Sequence, residues 1–173
     1  TAAFVCAAGV QVYDLASRSL LEELPAADSA LAEVAYLDTD TLIYAGQQGL
    51  TRYGISEGKT VWIGQKATAI GISQDGKTVA SIYKDDTQVN ITDADSGKVR
   101  AVINLQGRHP SVTANDVFAN PNDNLLALNQ DGTWAAVSMS DGSLEIFDLR
   151  NGDKDAVIYD SGSGYTHFEG GFY

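Results

Sequence analysis

The sequence is poor in the residues from which many functional sites are built. It contains one cysteine, two histidines and three prolines. A single cysteine cannot form an internal disulfide, and a zinc site would have to rely on carboxylates. The longest uninterrupted apolar run, from Ala2 to Ala8, is far shorter than the about 20 residues that a membrane-spanning helix needs. We therefore expect no metal site, no cofactor and no membrane-spanning segment.

Basic residues are also scarce. Eleven Lys and Arg residues stand against 23 Asp and Glu residues, which gives a net charge of −12. Proteins that bind nucleic acid draw much of their affinity from cations placed against phosphates, and anionic membranes attract basic surfaces in the same way. An acidic chain without a basic block is a poor candidate for either partner. This composition gives a weak preference for an extracellular or cell-surface location and leaves a cytoplasmic one open.

Four segments of the chain repeat one pattern. Each is a short alternating stretch, a turn rich in Gly, Ser and Asn, and a second apolar stretch, which together predict a β-hairpin. The equivalent positions at the end of the first stretch are Asp14, Gly54, Asp93 and Asp148. Their spacings are 40, 39 and 55 residues. Two nearly equal spacings and one longer spacing indicate a structural repeat that carries an insertion.

A second motif precedes this hairpin in the later repeats. Residues 72–80 hold an Asp-Gly pair between two apolar stretches, residues 128–136 repeat this pattern around the same Gln-Asp-Gly, and residues 36–44 form a degenerate version. Asp-Gly supplies the backbone geometry of a tight turn. Each full repeat therefore predicts four antiparallel strands, named a to d. Such units, repeated about every 40 residues, are typical of β-propeller blades.

The fold prediction is an all-β chain of about four β-propeller blades, each with four antiparallel strands. The blades are expected at residues 1–24 (strands b, c and d), 30–64, 66–105 and 122–160, with an insertion at 106–122 and a final strand a at 165–173. Either the final strand completes the first blade of a four-bladed ring, or the chain belongs to a seven- or eight-bladed propeller. The second arrangement is favoured, with a second chain or copy covering the open blade edges, because unpaired strands need covering.

These motifs resemble a known group of proteins. Residues 73–79 (Ser-Gln-Asp-Gly-Lys-Thr-Val), followed by 89–93 and 96–99, resemble the pattern of YVTN and WD-repeat propellers, and residues 54–62 are similar to the Gly-Lys-x-x-Trp end of quinoprotein-type blades. The Trp-Asp dipeptide of WD repeats is replaced in all four units, and their Gly-His start has no counterpart. The resemblance implies a propeller that binds a protein or peptide partner. As an alternative, it implies part of a quinoprotein-like or other propeller enzyme whose active site needs further blades.

The sequence contains no pattern typical of catalysis. It has no Gly-x-Ser-x-Gly elbow, and no phosphate-binding loop leads from a strand into a helix. A calcium loop beginning at Asp93 would need Gly at its sixth position and Glu at its twelfth, where Lys98 and Asn104 stand. Most carboxylates fall in predicted turns, where Asp accepts local hydrogen bonds. A non-catalytic role is favoured, and an enzymatic role stays open.

The candidate binding residues follow from the predicted strand order. In a propeller, the b–c and d–a loops lie on one face, where partners usually bind, and long loops on a rigid scaffold often carry function. The insertion is the longest such loop, although residues 112–119 also fit an elongated strand a. The residues expected to contribute to this binding face are Gln47, Gln48, Lys84, Asp85, Asp86, Arg108, His109 and Asp141.

Overall fold

The structure, a computed structural model, describes residues 1–6, 9–25, 34–67, 69–83, 87–105, 126–139 and 143–150, and the backbone of 153–159. Within these ranges the chain forms four antiparallel sheets. Sheet 1 contains β1 (Ala2–Cys6), β2 (Gly9–Asp14) and β3 (Ser19–Leu24). Sheet 2 contains β4 (Val34–Tyr36), β5 (Thr41–Gly46), β6 (Gly49–Gly54) and β7 (Lys59–Ile63).

The other two sheets have the same four-stranded form. Sheet 3 contains β8 (Ala69–Ile72), β9 (Thr78–Ile82), β10 (Gln88–Asp93) and β11 (Val99–Asn104). Sheet 4 contains β12 (Leu126–Leu128), β13 (Trp134–Ser138), β14 (Ser143–Asp148) and β15 (Asp153–Tyr159). The prediction of an all-β chain with repeated antiparallel sheets is confirmed. The expected insertion at 106–122 and the expected final strand at 165–173 lie outside the described residues, and the division into blades stays a prediction.

Each sheet pairs its strands in chain order. The residues aligned in the sequence repeat, Asp14, Gly54, Asp93 and Asp148, are the last residues of β2, β6, β10 and β14. Each of these strands also has a register shift at the same place, between its fourth and fifth residues. A bulge bends a strand and increases its twist. The sequence repeat is therefore also a structural repeat, and even the position of the bulge is the same in all four sheets.

Clusters of buried side chains lie between successive sheets. Between sheets 1 and 2 lie Val10, Val12, Leu24, Leu42, Tyr44 and Tyr53. Between sheets 2 and 3 lie Ile43, Leu50, Ala67, Ile70, Val79 and Ala94. The third cluster, between sheets 3 and 4, includes Ile82, Val89, Ile91, Leu126, Val137 and Phe147. Since Leu42 and Ile43 are neighbours in β5 and pack in different clusters, both faces of sheet 2 are covered.

Candidate binding surface

The antiparallel pairing separates the connections of the chain into two groups. In a meander, alternate connections lie at opposite ends of the sheet. We call one end the turn end; it holds the turns β2–β3, β4–β5, β6–β7, β8–β9, β10–β11, β12–β13 and β14–β15. The other, the loop end, holds the turn β5–β6, the connections β1–β2, β9–β10 and β13–β14, and the connections from one sheet to the next. Of the binding residues predicted from the sequence, the described ones, Gln47 and Gln48, lie at the loop end.

Contacts at the loop end join the connection between two sheets to a connection within a sheet. The backbone N–H of Gln47 donates a hydrogen bond to the carbonyl of Pro25, which follows β3, over 3.3 Å. The Lys66 Nζ atom, after β7, lies 5.8 Å from the centroid of the Tyr83 ring, after β9. This distance allows a cation–π interaction. The loop end is therefore built from segments that are distant in the sequence.

A third contact joins the longest connection of the chain, between β11 and β12, to the connection between β9 and β10. The amide of Leu105, immediately after β11, donates to the carbonyl of Thr87, immediately before β10, over 2.8 Å. Leu105 is buried, which fixes this junction in the core between sheets 3 and 4. In the sequence, the expected insertion begins directly after Leu105, and Lys84, Asp85 and Asp86 directly precede Thr87. The two residues of this hydrogen bond therefore stand next to both predicted binding segments along the chain.

The structure describes only part of the predicted binding face. Gln47 and Gln48 form the turn between β5 and β6, and both are exposed. The other predicted residues lie outside the described part of the chain, so their grouping stays a prediction: Lys84, Asp85, Asp86, Arg108, His109 and Asp141. The sequence did not single out Lys66 and Tyr83. Lys66 follows the predicted strand d of its repeat, and this position was the signal that could have identified it.

The turn end carries most of the described carboxylates that accept hydrogen bonds. Asp14 accepts bonds from the Ser17 hydroxyl and the Ala16 amide, and Asp93 accepts bonds from the hydroxyl and the amide of Ser96. These bonds stabilise the charged form and lower the pKa of both carboxyls. Hydrogen bonds likewise lower the pKa of Asp75, Asp131 and Asp148. The acidic residues of the turn end therefore stabilise turns.

Metal binding finds no support in the part of the chain that the structure describes. Within it, no three His, Cys, Asp or Glu side chains lie close enough together to hold a metal ion. No described helix has the length and apolar character needed to cross a membrane. Both observations concern only these residues, and the expectation of no metal site stays a prediction for the chain as a whole.

Trp62, the residue behind the similarity to quinoprotein-type blades, packs between two sheets. Its indole Nε1 donates to the carbonyl of Ala94, in the turn that follows β10, over 3.1 Å. A Cβ atom at Gly97 would lie 2.7 Å from Trp62 Cδ2, so the ring lies directly against this glycine. Arg52 reaches the same turn, where its Nη1 atom donates to the Ala94 carbonyl over 2.9 Å and to Asp95 Oδ1 over 3.1 Å. Trp62 and Arg52 thus hold sheet 3 against sheet 2.

The first interface between sheets also contains a polar contact. Tyr53 lies in the buried cluster between sheets 1 and 2, near the carboxylate of Glu22 in β3. Burial, together with the nearby Glu22 carboxylate, raises the pKa of Tyr53 to about 12. The phenol is therefore neutral at physiological pH.

The chain matches no protein-family model, and no curated protein is detectably similar to it. The resemblance to YVTN and WD-repeat propellers is therefore carried by short motifs alone. Any function must be argued from the repeated sheets, from the way they pack and from the residues of the loop end.

Proposed function

We propose that the chain forms consecutive blades of a β-propeller and acts as a non-catalytic scaffold that binds a protein or peptide partner at its loop end. Four antiparallel sheets follow one another in the chain, with the same bulge in each and a buried cluster between each successive pair. Radial repetition of small antiparallel sheets is the propeller architecture. Such a stack supplies a rigid base for loops that bind.

The observation that carries this proposal is the hydrogen bond between Leu105 and Thr87. It joins Leu105, the residue before the 106–122 segment, to Thr87, the residue after the 84–86 connection, at the end of the stack that also presents Gln47 and Gln48. Long loops fixed at their bases on a rigid scaffold are common binding elements. The partner surface that we propose consists of these segments.

A protein or peptide is the partner class that fits this end best. Gln47 and Gln48 offer exposed amide donors and acceptors, and the Lys66 and Tyr83 pair adds a cation beside an aromatic ring. The chain carries a net charge of −12, which disfavours polyanionic partners. Neutral or basic segments of a protein meet no such electrostatic penalty.

The enzymatic alternative gains no observation of its own. It was motivated by residues 54–62, and Trp62 has a packing role between sheets 2 and 3 that accounts for its presence. A titration of the protein with pyrroloquinoline quinone and calcium, followed by absorbance, is the direct check. We expect no spectral change.

The proposed binding face can be tested with a library of random peptides displayed on phage. Peptides selected on the wild-type protein are measured against two variants. The loop-end variant combines Gln47→Ala, Gln48→Ala, Arg108→Ala and His109→Ala, and we expect it to lose at least about tenfold in affinity, the loss that follows removal of a few contact residues. We expect its melting temperature to be nearly unchanged, because Gln47 and Gln48 are exposed.

The matched control changes exposed polar residues at the turn end. Gln74→Ala with Lys77→Ala removes an amide and a cation from the turn between β8 and β9. We expect it to bind the selected peptides as the wild type does. If the selected peptides bind the loop-end variant with wild-type affinity, the binding surface does not include the substituted loop-end residues. Selection of no peptide at all would count against a peptide-binding scaffold.

A further inference from the structure

One face of sheet 1 is uncovered, although its counterparts in the other sheets are buried. We call the side of each sheet that faces the preceding sheet its back face. The bulged strands are β2, β6, β10 and β14. In each sheet, the residue paired with the third residue of the bulged strand lies on the back face: Phe4 in sheet 1, Tyr44 in sheet 2, Ser81 in sheet 3 and Val137 in sheet 4. The last three are buried, whereas Phe4 is 55% exposed.

A second repeat position shows the same contrast. The residue that follows the bulged strand is Leu15 in the first repeat and Ile55, Ala94 or Leu149 in the others. Each of the last three packs against a cluster between its own sheet and the preceding one. Leu15 is 62% exposed. The back face of sheet 1 therefore has the apolar residues of an interface between sheets, without a sheet against them.

The uncovered face has a defined shape. The rings of Phe4 and Tyr13 meet edge to face, with centroids 6.1 Å apart. With Asp14, Leu15 and Arg18 they line a depression of about 250 Å³. An apolar depression bordered by a carboxylate and a guanidinium is typical of a surface that contacts another protein.

Within the described part of the chain, the edge of sheet 1 is open at the same place. The strands equivalent to β1 are β5, β9 and β13, and each of them is paired on its other side with a further strand, β4, β8 or β12. Sheet 1 has three strands, and none of the described residues pairs with the outer edge of β1. An unpaired strand edge presents free amides and carbonyls that can pair with another strand. The face and the edge thus call for the same kind of partner, which is another β-sheet.

The opposite end of the stack offers the complementary face. The fourth residue of each bulged strand faces the following sheet; Val12 and Ile91 at this position are fully buried. The equivalent residue of sheet 4, Ile146, is only half-buried. Its neighbour on this face, Leu144, is already buried. The contact surface that sheet 4 presents is therefore centred on Ile146.

We propose that two copies of this chain associate head to tail, with the back face of sheet 1 of each copy packed on the Ile146 face of sheet 4 of the other. This inference rests on the proposed propeller architecture. Because the two faces are different, the contact is heterologous, and a two-fold arrangement that forms it twice closes a ring. Two copies contribute eight sheets, within the range of about 4–8 blades found in propellers.

The oligomeric state of the purified chain and of three variants tests this proposal by sedimentation equilibrium over a wide range of concentrations. We expect the wild type to dimerise. Leu15→Glu and Ile146→Glu each place a carboxylate in the interface, and each should weaken dimerisation at least about tenfold. Leu15 is exposed within one copy, so its substitution should leave the circular dichroism spectrum and the fold unchanged.

The control variant is Val61→Glu. Val61 lies on β7, away from both proposed faces, and is exposed to a similar degree. We expect it to dimerise as the wild type does. A wild type that stays monomeric at all concentrations, or that grows into open chains of many copies, would overturn the proposal.

Mixing the two disruptive variants distinguishes head-to-tail contact from other dimers. In an equimolar mixture, the Leu15→Glu variant still has an unchanged sheet 4 and the Ile146→Glu variant still has an unchanged sheet 1. A mixed dimer therefore retains one intact interface, formed by these two sheets. We expect this mixture to dimerise more strongly than either variant alone. If two back faces met each other instead, Ile146→Glu would dimerise normally, which would also overturn the proposal. Peptide binding at the loop end and dimerisation are measured in separate experiments. Failure of the proposed binding function can therefore be distinguished from failure of the proposed dimer.

Discussion

At the scale of single residues, one turn position shows how the repeat selects glycine. The hairpins that follow β2, β6 and β10 each contain a residue with positive φ: Arg18 at 57°, Gly58 at 61° and Gly97 at 69°. A side chain in this conformation costs about 1–2 kcal/mol relative to glycine. The first hairpin accepts this cost at Arg18. Gly97 has a further constraint, because the Trp62 ring lies where a Cβ atom would be.

We predict that Gly97→Ala destabilises the protein more than Gly58→Ala. Both substitutions place a methyl group at a positive φ, but at Gly58 its nearest neighbour is the Tyr53 hydroxyl at 3.9 Å, whereas at Gly97 it is Trp62 Cδ2 at 2.7 Å. We expect a loss of about 1 kcal/mol for Gly58→Ala. We expect an additional about 1–3 kcal/mol for Gly97→Ala, because the ring must move. Urea denaturation of both variants measures the difference.

The double variant Gly97→Ala with Trp62→Ala supplies the control. Removing the ring also removes the clash, so the effect of Gly97→Ala in this background should fall to that of Gly58→Ala. Equal effects of Gly97→Ala with and without the tryptophan would show that the contact carries no strain.

At the scale of the elements, one hydrogen-bonding device recurs at the turn end. A carboxylate at the end of β2, β10 or β14 accepts hydrogen bonds from the turn that follows it. The end of β6 has Gly54 and no carboxylate. There Asp40, in the turn between β4 and β5, accepts bonds from the amide and the hydroxyl of Ser56. The turn is stabilised in the same way although the acceptor comes from another part of the repeat.

These carboxylates predict a loss of stability in acid. The pKa of Asp93 is lowered, chiefly by the hydrogen bond from the Ser96 hydroxyl. Its contribution to stability is therefore present above the pKa of an unfolded aspartate, about 3.9, and is lost as the pH falls through the lowered value of the folded state. We expect the melting temperature to fall as the pH is lowered below about 4. Asp14, Asp75, Asp131 and Asp148 act in the same direction.

Asp93→Asn isolates one of these groups. Both hydrogen bonds from Ser96 go to the same oxygen, Oδ1, so an amide oxygen can accept them. We expect the variant to have nearly wild-type stability at neutral pH and a smaller loss in acid. Ser96→Ala, which removes the donor hydroxyl, should also reduce the acid dependence. An unchanged pH profile in both variants would contradict this role of Asp93.

At the scale of the whole molecule, stability depends on how closely successive sheets approach. Gly71 of β8 lies against β12 of the next sheet, and a Cβ atom there would be 2.7 Å from the carbonyl oxygen of Leu126. The backbones of two sheets are thus in direct contact at this point. Side chains larger than hydrogen would separate sheets 3 and 4 and open the largest cluster of the core.

We predict that Gly71→Ala destabilises the protein by about 1–3 kcal/mol, the usual cost of overpacking a core. The control is Gly54→Ala, at a buried glycine whose added Cβ would meet its nearest atoms at 3.8 Å. Gly54 has no positive φ. Alanine there should therefore have no effect or stabilise the protein by up to about 1 kcal/mol, because it lowers the conformational entropy of the unfolded chain. Hydrogen exchange should localise the effect of Gly71→Ala to sheets 3 and 4. A Gly71→Ala variant with wild-type stability would show that these sheets are not held this closely.

The strands and their order were predictable from the sequence because their causes are local. Alternating apolar residues define β2, β6, β10 and β14, and the Asp-Gly pairs at 75–76 and 131–132 define the turns. The bulges had no such signal, since a register shift depends on the partner strand. The binding face was predictable only as a set of loops, and Gln47 and Gln48 are its described members.

The four repeated sheets follow from local sequence, since the period of two along each strand and the glycine turns are properties of neighbouring residues. Which faces of these sheets are buried depends on tertiary contacts. Thr51, Asn90 and Glu145 occupy the polar positions of alternating strands, where one would expect solvent, and all three are buried. Gln11, at the same position in sheet 1, is only half-buried. The physical reason is that a stacked sheet buries both of its faces, and stacking is a contact between residues far apart in the chain.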